Sequence, residues 1–282
     1  MSGRLPNFLV IGATRAGSTA LHHYLRPHPD VYLSPRKEVR FFNVNFDRGL
    51  DWYREHFAGA AGERAVGEAT PSYLFRPDAI ERMAGVVPHA RLIALLRHPV
   101  ERAYSHYGMN RSQGREPRSF EQAVDDELAG GETGPAGAGD EGPAPYRYLG
   151  PGHYLPQLQE VGRHFPRRQL LVVLFDDLCQ APLESYRSVC RFLGIDDTFV
   201  PPNLGQPLNV ATGFRSLALR RAARRLQGPA RPLGRALARL NQRPATTTAL
   251  DPATRNRLVE HFRPDNAALA AWLGRDLSGW DR

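Results

Sequence analysis

Two short clusters of residues have the types and spacing to grip an anionic nucleotide. The first is Gly12-Ala13-Thr14-Arg15-Ala16-Gly17-Ser18-Thr19. It joins an apolar run, Phe8 to Ile11, to a helical pattern with Leu21 and Leu25 on one face. Backbone N–H groups at such a helix start attract an anion. Gly12 and Gly17 permit tight turns and close backbone approach, and Ser18 and Thr19 add hydroxyl donors. The spacing is that of the nucleotide-triphosphatase loop G-x-x-x-x-G-K-[ST], with one break: Ser18 stands where the lysine belongs. The cation is instead Arg15, three residues earlier. The second cluster is Arg97, directly after the run RLIALL, with Ser105 eight residues on. If Pro99 opens a helix, eight residues is about two turns. An arginine fork and a hydroxyl so placed grip one phosphate. The two clusters together suggest a ligand with two separate phosphate-type groups.

The elements that must position these clusters alternate in type. Strand signals fall at Phe8 to Ile11, Val31 to Leu33, Ala65 to Gly67, Arg91 to Leu96 and Leu170 to Phe175. Helical patterns fall after Gly17 with Leu21 and Leu25 on one face, at 49–57, at Asp78 to Ala84, after Pro99 with Tyr104 and Tyr107, at Tyr154 to Phe165 and at Leu183 to Leu193. A last helix, capped by Asp251-Pro252, is expected to run to about Phe262. Alternation of this kind predicts an α/β, three-layer fold with a central parallel sheet flanked by helices. Ligands of such sheets bind beyond the carboxyl ends of the strands, where both clusters lie.

Composition narrows the function classes. The 282 residues suit one large domain, 1–282, and no apolar run is long enough to cross a membrane. The apolar run near the N-terminus is too short for a signal peptide, so a cytoplasmic protein is expected. The two cysteines, Cys179 and Cys190, read as free thiols packed beside apolar neighbours. No His/Cys/Asp cluster predicts a metal. The net charge of +8 is local. Residues 215–243 hold nine arginines and no Asp, Glu or Lys; taking that +9 from +8 leaves the rest at −1. General affinity for polyanions, and for nucleic acid in particular, is therefore not expected. The only lysine is Lys37. Residues 130–145, rich in Gly and Pro, read as a mobile loop within the domain.

In order along the chain, these segments resemble the sulfotransferases that use 3′-phosphoadenosine 5′-phosphosulfate (PAPS). The resemblance is to the glycosaminoglycan-type branch, with its N- and 3-O-sulfotransferase modules and bacterial relatives. Arg15-Ala16-Gly17-Ser18-Thr19 is similar to that family's 5′-phosphosulfate motif, K-x-G-T-T. Arg97 and Ser105 fall on its 3′-phosphate motif. Glu38-Val39-Arg40-Phe41-Phe42-Asn43 resembles the E-x-x-F-F-[ND] stretch that carries its base. Gly49 to Tyr53, Gly67 to Tyr73 and Asn209 to Leu217 also resemble family segments. Three departures stand out: Arg15 for lysine, Ala69 for a lysine, and Arg40 where the 3-O enzymes carry histidine.

The resemblance implies a P-loop-like fold and a sulfuryl transfer that leaves 3′-phosphoadenosine 5′-phosphate (PAP) as product, with no metal. It implies donor contacts from Arg15, Ala16, Gly17, Ser18, Thr19, Arg97, Ser105 and Arg243. Glu38 would take the acceptor proton, Glu68 being its nearest rival, and Lys37 would contact the sulfuryl oxygens or the acceptor. Phe41 and Phe42 are expected in the core, and His98 in a turn. The acceptor is a hydroxyl or amine of a glycan, a lipid or a natural product. Two other readings stand beside this one: a P-loop nucleotide kinase or NTPase with an altered loop, and a non-enzymatic polyanion-binding module driven by the arginines. Residues 215–243 are expected to form a helical hairpin with leucines packed inward; contact with a membrane surface or an anionic acceptor are the alternatives.

Overall fold

The computed structural model describes residues 4–130, 146–206, 212–214, 234, 237, 242–244 and 249–282. The expected loop at 131–145 and most of the arginine-rich segment 215–243 lie outside the described residues, as does the Arg243 side chain.

Five strands form one parallel sheet in the order β2-β3-β1-β4-β5. They are β1 (Phe8–Gly12), β2 (Val31–Leu33), β3 (Ala65–Ala69), β4 (Arg91–Leu96) and β5 (Leu170–Leu174). β1 and β3 are buried at every residue, and β4 at all but Arg91, as strands covered on both faces must be. From β1 the chain crosses by α1 (Ser18–Leu25) to β2 on one side. From β3 it crosses by α3 (Pro77–Val86) to β4 on the other; a short α2 (Gly49–Glu55) lies between β2 and β3. Right-handed crossovers in opposite directions put these helices on opposite faces. Accordingly α1 packs with α8 (Pro182–Leu193), while α3 packs with α6 (Tyr154–His164) and α6 with the long C-terminal helix α9 (Pro252–Leu273). The fold is thus α/β, a parallel sheet between helical layers. The loop after β1 runs to one face and the loop after β4 to the other, which opens a crevice at their carboxyl ends.

Three elements differ from the sequence expectations. α5 (Phe120–Leu128) was not anticipated, although it opens on a full capping box: Ser119 Oγ accepts from the Gln122 amide, and Gln122 returns a bond to the Ser119 amide. α7 (Phe175–Gln180) begins where β5 ends, with no turn signal between them. α9 passes through Pro264 and ends eleven residues beyond Phe262, at Leu273. Proline breaks a helix because it lacks a donor and crowds the preceding turn. Here the buried Phe262, Asn266 and Leu269 flank it, and packing on both sides holds the helix together.

The remaining elements end close to the site. α4 (Pro99–Ser112) starts at His98, whose Nδ1 accepts from the Val100 amide at 3.2 Å. His98 is therefore a helix cap, in keeping with the expected turn role. Burial and the charge of Arg255 lower its pKa, which keeps Nδ1 an acceptor. A histidine whose folded pKa is depressed contributes stability above its unfolded pKa and loses it as pH falls through that range. His98→Ala should destabilise the protein by about 1 kcal/mol, and His98→Asn by less, in urea unfolding at neutral pH. A strand pair, β6 (Thr212–Phe214) with β7 (Gln242–Pro244), is antiparallel; β6 neighbours α4, and the backbone of Arg243 pairs with Gly213. Phe41 and Phe42 are core residues, Phe41 stacking on Tyr53 at 4.2 Å. Cys190 is buried, and burial raises its thiol pKa to about 11. Cys179 is exposed, contrary to the expected packing, because it lies on the outer side of the short α7. Among the described residues no helix is long and apolar enough to cross a membrane.

Candidate active site

Among the described side chains, each candidate lies in a segment that follows the carboxyl end of a strand of the parallel sheet; Arg243, on β7, is outside them. The loop after β1 is tied down by its neighbours: the Ala13 amide donates to Leu95 O at 2.6 Å, and the Leu74 amide to Ile11 O at 2.8 Å. Two residues give the loop its shape. Gly17 sits at φ 98° as the residue before α1, and a Cβ there would come within 2.9 Å of the Phe175 ring. Arg15 is held at φ 70°, a left-handed conformation that side chains other than glycine seldom adopt. Such geometry persists only where the surroundings enforce it. α1 has no side-chain cap at its N-terminus and no acidic residue in its first turn. No side chain caps its first amides or offsets the positive end of its dipole.

The two predicted phosphate clusters meet there. Arg15 Nε donates to Ser105 Oγ at 3.0 Å, and Arg97 donates to the Arg15 carbonyl at 3.4 Å. The Arg97 guanidinium lies over the Phe175 ring, 4.7 Å from its centre. Tyr154 donates its hydroxyl to the Arg97 carbonyl at 2.7 Å. Phe175 thus walls both Gly17 and Arg97. Sequence reading missed Phe175 and Tyr154; the signal that could have found Phe175 is its place directly past a buried strand.

The segment after β2 brings a third group to the same rim. Lys37 Nζ donates to Thr19 Oγ1 at 3.3 Å and lies 3.8 Å from Glu38 Oε1. The chain's one lysine therefore spans from the start of α1 to the carboxylate. Burial, then the charge of Lys37, lower the pKa of His22 on α1 to about 4, so His22 adds no charge here at neutral pH. Glu38 is mostly enclosed, with 18% of its side chain accessible, and its other oxygen, Oε2, accepts from both Nε and Nη2 of Arg40 at 3.1 and 3.0 Å. The Arg40 contact was not foreseen: residues two apart can share a face, but the spacing alone does not say that these two side chains turn toward each other.

Glu68 is a different kind of carboxylate. It is 1% exposed, and three hydroxyls donate to it: Tyr53 at 3.1 Å, Tyr73 at 2.8 Å and Thr70 at 2.6 Å. Burial raises its pKa, with the hydroxyl bonds opposing. Its oxygens are occupied inside the core, so it is a structural hub joining α2 to the segment after β3.

The arrangement gathers cations and hydroxyls at a helix start without a side-chain cap, beside the partly exposed carboxylate of Glu38. It suits an anionic ligand. A family model described as "Sulfotransferase domain" matches residues 5–203. The chain belongs to the sulfotransferase family.

Relatives agree with that placement. Human heparan sulfate glucosamine 3-O-sulfotransferase 3B1 is 29% identical over 282 residues, 99% of this chain and 66% of that protein. Human bifunctional heparan sulfate N-deacetylase/N-sulfotransferase 2 is 32% identical over 200 residues, 68% of this chain and 22% of that protein. The chain thus spans less than two thirds of the length of these curated relatives. The crystal structure of a sulfotransferase from Alicyclobacillus acidocaldarius superposes with a TM-score of 0.73 at 29% identity, covering 99% of this chain and all of that one. The sheet of this sulfotransferase and its flanking helices are those of the family's P-loop-like fold.

Proposed function

We propose that this sulfotransferase moves a sulfuryl group from PAPS to a hydroxyl or amine of an acceptor, with Glu38 as general base. The observation that carries the reading is the meeting of Arg15, Arg97 and Ser105 beside an uncapped helix start. The groups present fit an anionic donor: Arg15, Arg97 and Ser105 in mutual contact, with Lys37 and the Thr19 hydroxyl at the start of α1. When bound, PAPS supplies a sulfur joined to a good leaving phosphate.

The chain's residues do the rest by position and charge, as in phosphoryl transfer. The amides of residues 17–19, at the entry to α1, hold the 5′-phosphate; the Ala16 amide, expected to join them, is instead given to the Ala13 carbonyl at 3.1 Å. Arg97 and Ser105 hold the 3′-phosphate and select this donor over ATP. Glu38 Oε1 takes the proton from the acceptor as its oxygen or nitrogen bonds to sulfur. The bond between sulfur and the bridging oxygen breaks, and PAP leaves with the electron pair. Arg15 and Lys37 offset the negative charge that spreads over the leaving phosphate and the sulfuryl oxygens. Arginine keeps the charge the family lysine supplies but does not act as an acid, so Arg15 serves as a cation only. Arg243, on the strand pair beside α4, completes the donor set. Two relatives are named for heparan sulfate, which makes a saccharide the first acceptor class to test; lipids and secondary metabolites follow.

Calorimetric titration with PAP and with ATP tests the donor. PAP is expected to bind tightly and ATP weakly. Arg97→Ala should weaken PAP by about 1.5–3 kcal/mol, the worth of a bond to a charged group, and leave ATP nearly unchanged. Equal binding of the two nucleotides by the wild-type protein would overturn the donor assignment.

A further inference from the structure

We propose that Arg40 is a positioning residue for the base: it holds Glu38 by one oxygen so that the other is presented to the acceptor beside Lys37. The inference rests on the reading of Glu38 as base and adds a residue to which neither the family pattern nor the chain's spacing gives this role. Three observations support it.

First, the contact is one-sided. Nε and Nη2 of Arg40 both converge on Oε2 of Glu38, at 3.1 and 3.0 Å, while Oε1 lies toward Lys37 Nζ at 3.8 Å. A fork spread over both oxygens would occupy the whole carboxylate; this one fixes its rotation and leaves the two oxygens unequal.

Second, the Arg40 backbone is built to deliver the side chain. Its φ is 59°, left-handed in a residue that is not glycine. Its amide donates to Thr70 Oγ1 at 3.2 Å, and Thr70 donates in turn to the buried Glu68 at 2.6 Å. Its carbonyl accepts from the amides of Val44 and Asn45 at 3.1 and 3.0 Å. Strain of this sort, fixed from both sides, marks a position where direction matters. The Glu68 hub is thereby connected to the accessible carboxylate through Thr70 and Arg40.

Third, neither partner is solvated enough to be an ordinary surface pair. The side chains of Arg40 and Glu38 are 17% and 18% accessible. An enclosed, geometrically defined pair constrains its members far more than an exposed one does.

The test needs no known acceptor. Crystal structures with PAP would be compared for the wild type, Arg40→Ala, and Arg40→Asn, which tolerates the left-handed backbone. Release of inorganic sulfate from PAPS, with water as acceptor, would be followed in the same proteins and in Arg40→Lys. The expected result is a Glu38 carboxylate rotated off its wild-type position in both structures, with the 38–45 backbone and PAP affinity unchanged. Sulfate release should fall about 10²-fold, the scale of a misplaced catalytic group. Millimolar guanidinium should restore part of it, and Arg40→Lys should be intermediate. An unmoved Glu38, or release undiminished in Arg40→Asn while Glu38→Ala abolishes it, would overturn the proposal. Release at the wild-type rate in Glu38→Ala would instead sink the general-base reading, and the crystallographic comparison would still judge the Arg40 contact.

Discussion

Glu38→Gln is expected to lower turnover by about 10²–10⁴-fold while PAP binds as before, because the substitution removes only proton transfer. The geometry makes this a clean separation. Glu38 is linked to the start of α1 through Lys37, whose Nζ sits on Thr19 Oγ1. The amides of α1 and the Arg97–Ser105 end of the crevice are carried by other strands. Glutamine keeps the size of the side chain and an acceptor oxygen for Arg40, so the local structure should persist. Single-turnover kinetics with a confirmed acceptor, alongside PAP titration, would read the two quantities separately. A fall in PAP affinity matching the fall in turnover would mean that Glu38 supports the donor site and is not a base.

Glu68→Leu is expected to destabilise the fold by about 3–5 kcal/mol, since it strands the hydroxyls of Tyr53, Thr70 and Tyr73 in a dry core. Glu68→Gln should lose much less, because an amide offers both a donor and an acceptor. Acidity distinguishes these variants further. Burial raises the Glu68 pKa, so the folded state binds its proton more tightly than the unfolded chain does. The stability this group contributes is then full below its ordinary carboxylate pKa and is lost as pH rises through the raised value. Urea unfolding from pH 4 upward, to about 8, should show that slope in the wild type and a flatter curve in Glu68→Gln. Matching slopes in the two proteins would show that Glu68 does not titrate in this range.

The sequence exposed the frame and half of the site, for identifiable reasons. Buried parallel strands are continuous apolar runs, so RLIALL and LLVVL announced themselves. Arg15 with Gly17, and Arg97 with Ser105, were legible because each lies at a strand end, where such folds bind ligands. That Arg15 touches Ser105 was not legible, since ninety residues separate them and only the sheet order makes β1 and β4 neighbours. The Arg40–Glu38 contact was hidden for the opposite reason: the residues are only two apart, and the local conformation that joins them is held by Thr70, just past β3. Glu68 and Glu38 read alike as letters; only burial separates a core hub from an accessible carboxylate. The helix expected to end near Phe262 runs on to Leu273, because what packs around Pro264 decides its effect on α9.

The strand order has a consequence for engineering. Residues proposed to hold the donor hang from β1 and β4, while the carboxylate and its clamp hang from β2 and lean on β3, on the far side of β1. The two halves of the chemistry are thus separate attachments to one rigid sheet, joined across the gap by Lys37 and Thr19. A chimaera that exchanges residues 34–48 for the matching stretch of another family member, with Thr70 and Glu68 retained as the socket, would change the acceptor face and leave the nucleotide face as it was. Acceptor preference altered with PAP affinity kept is the expected result of swapping that one rim of the sheet.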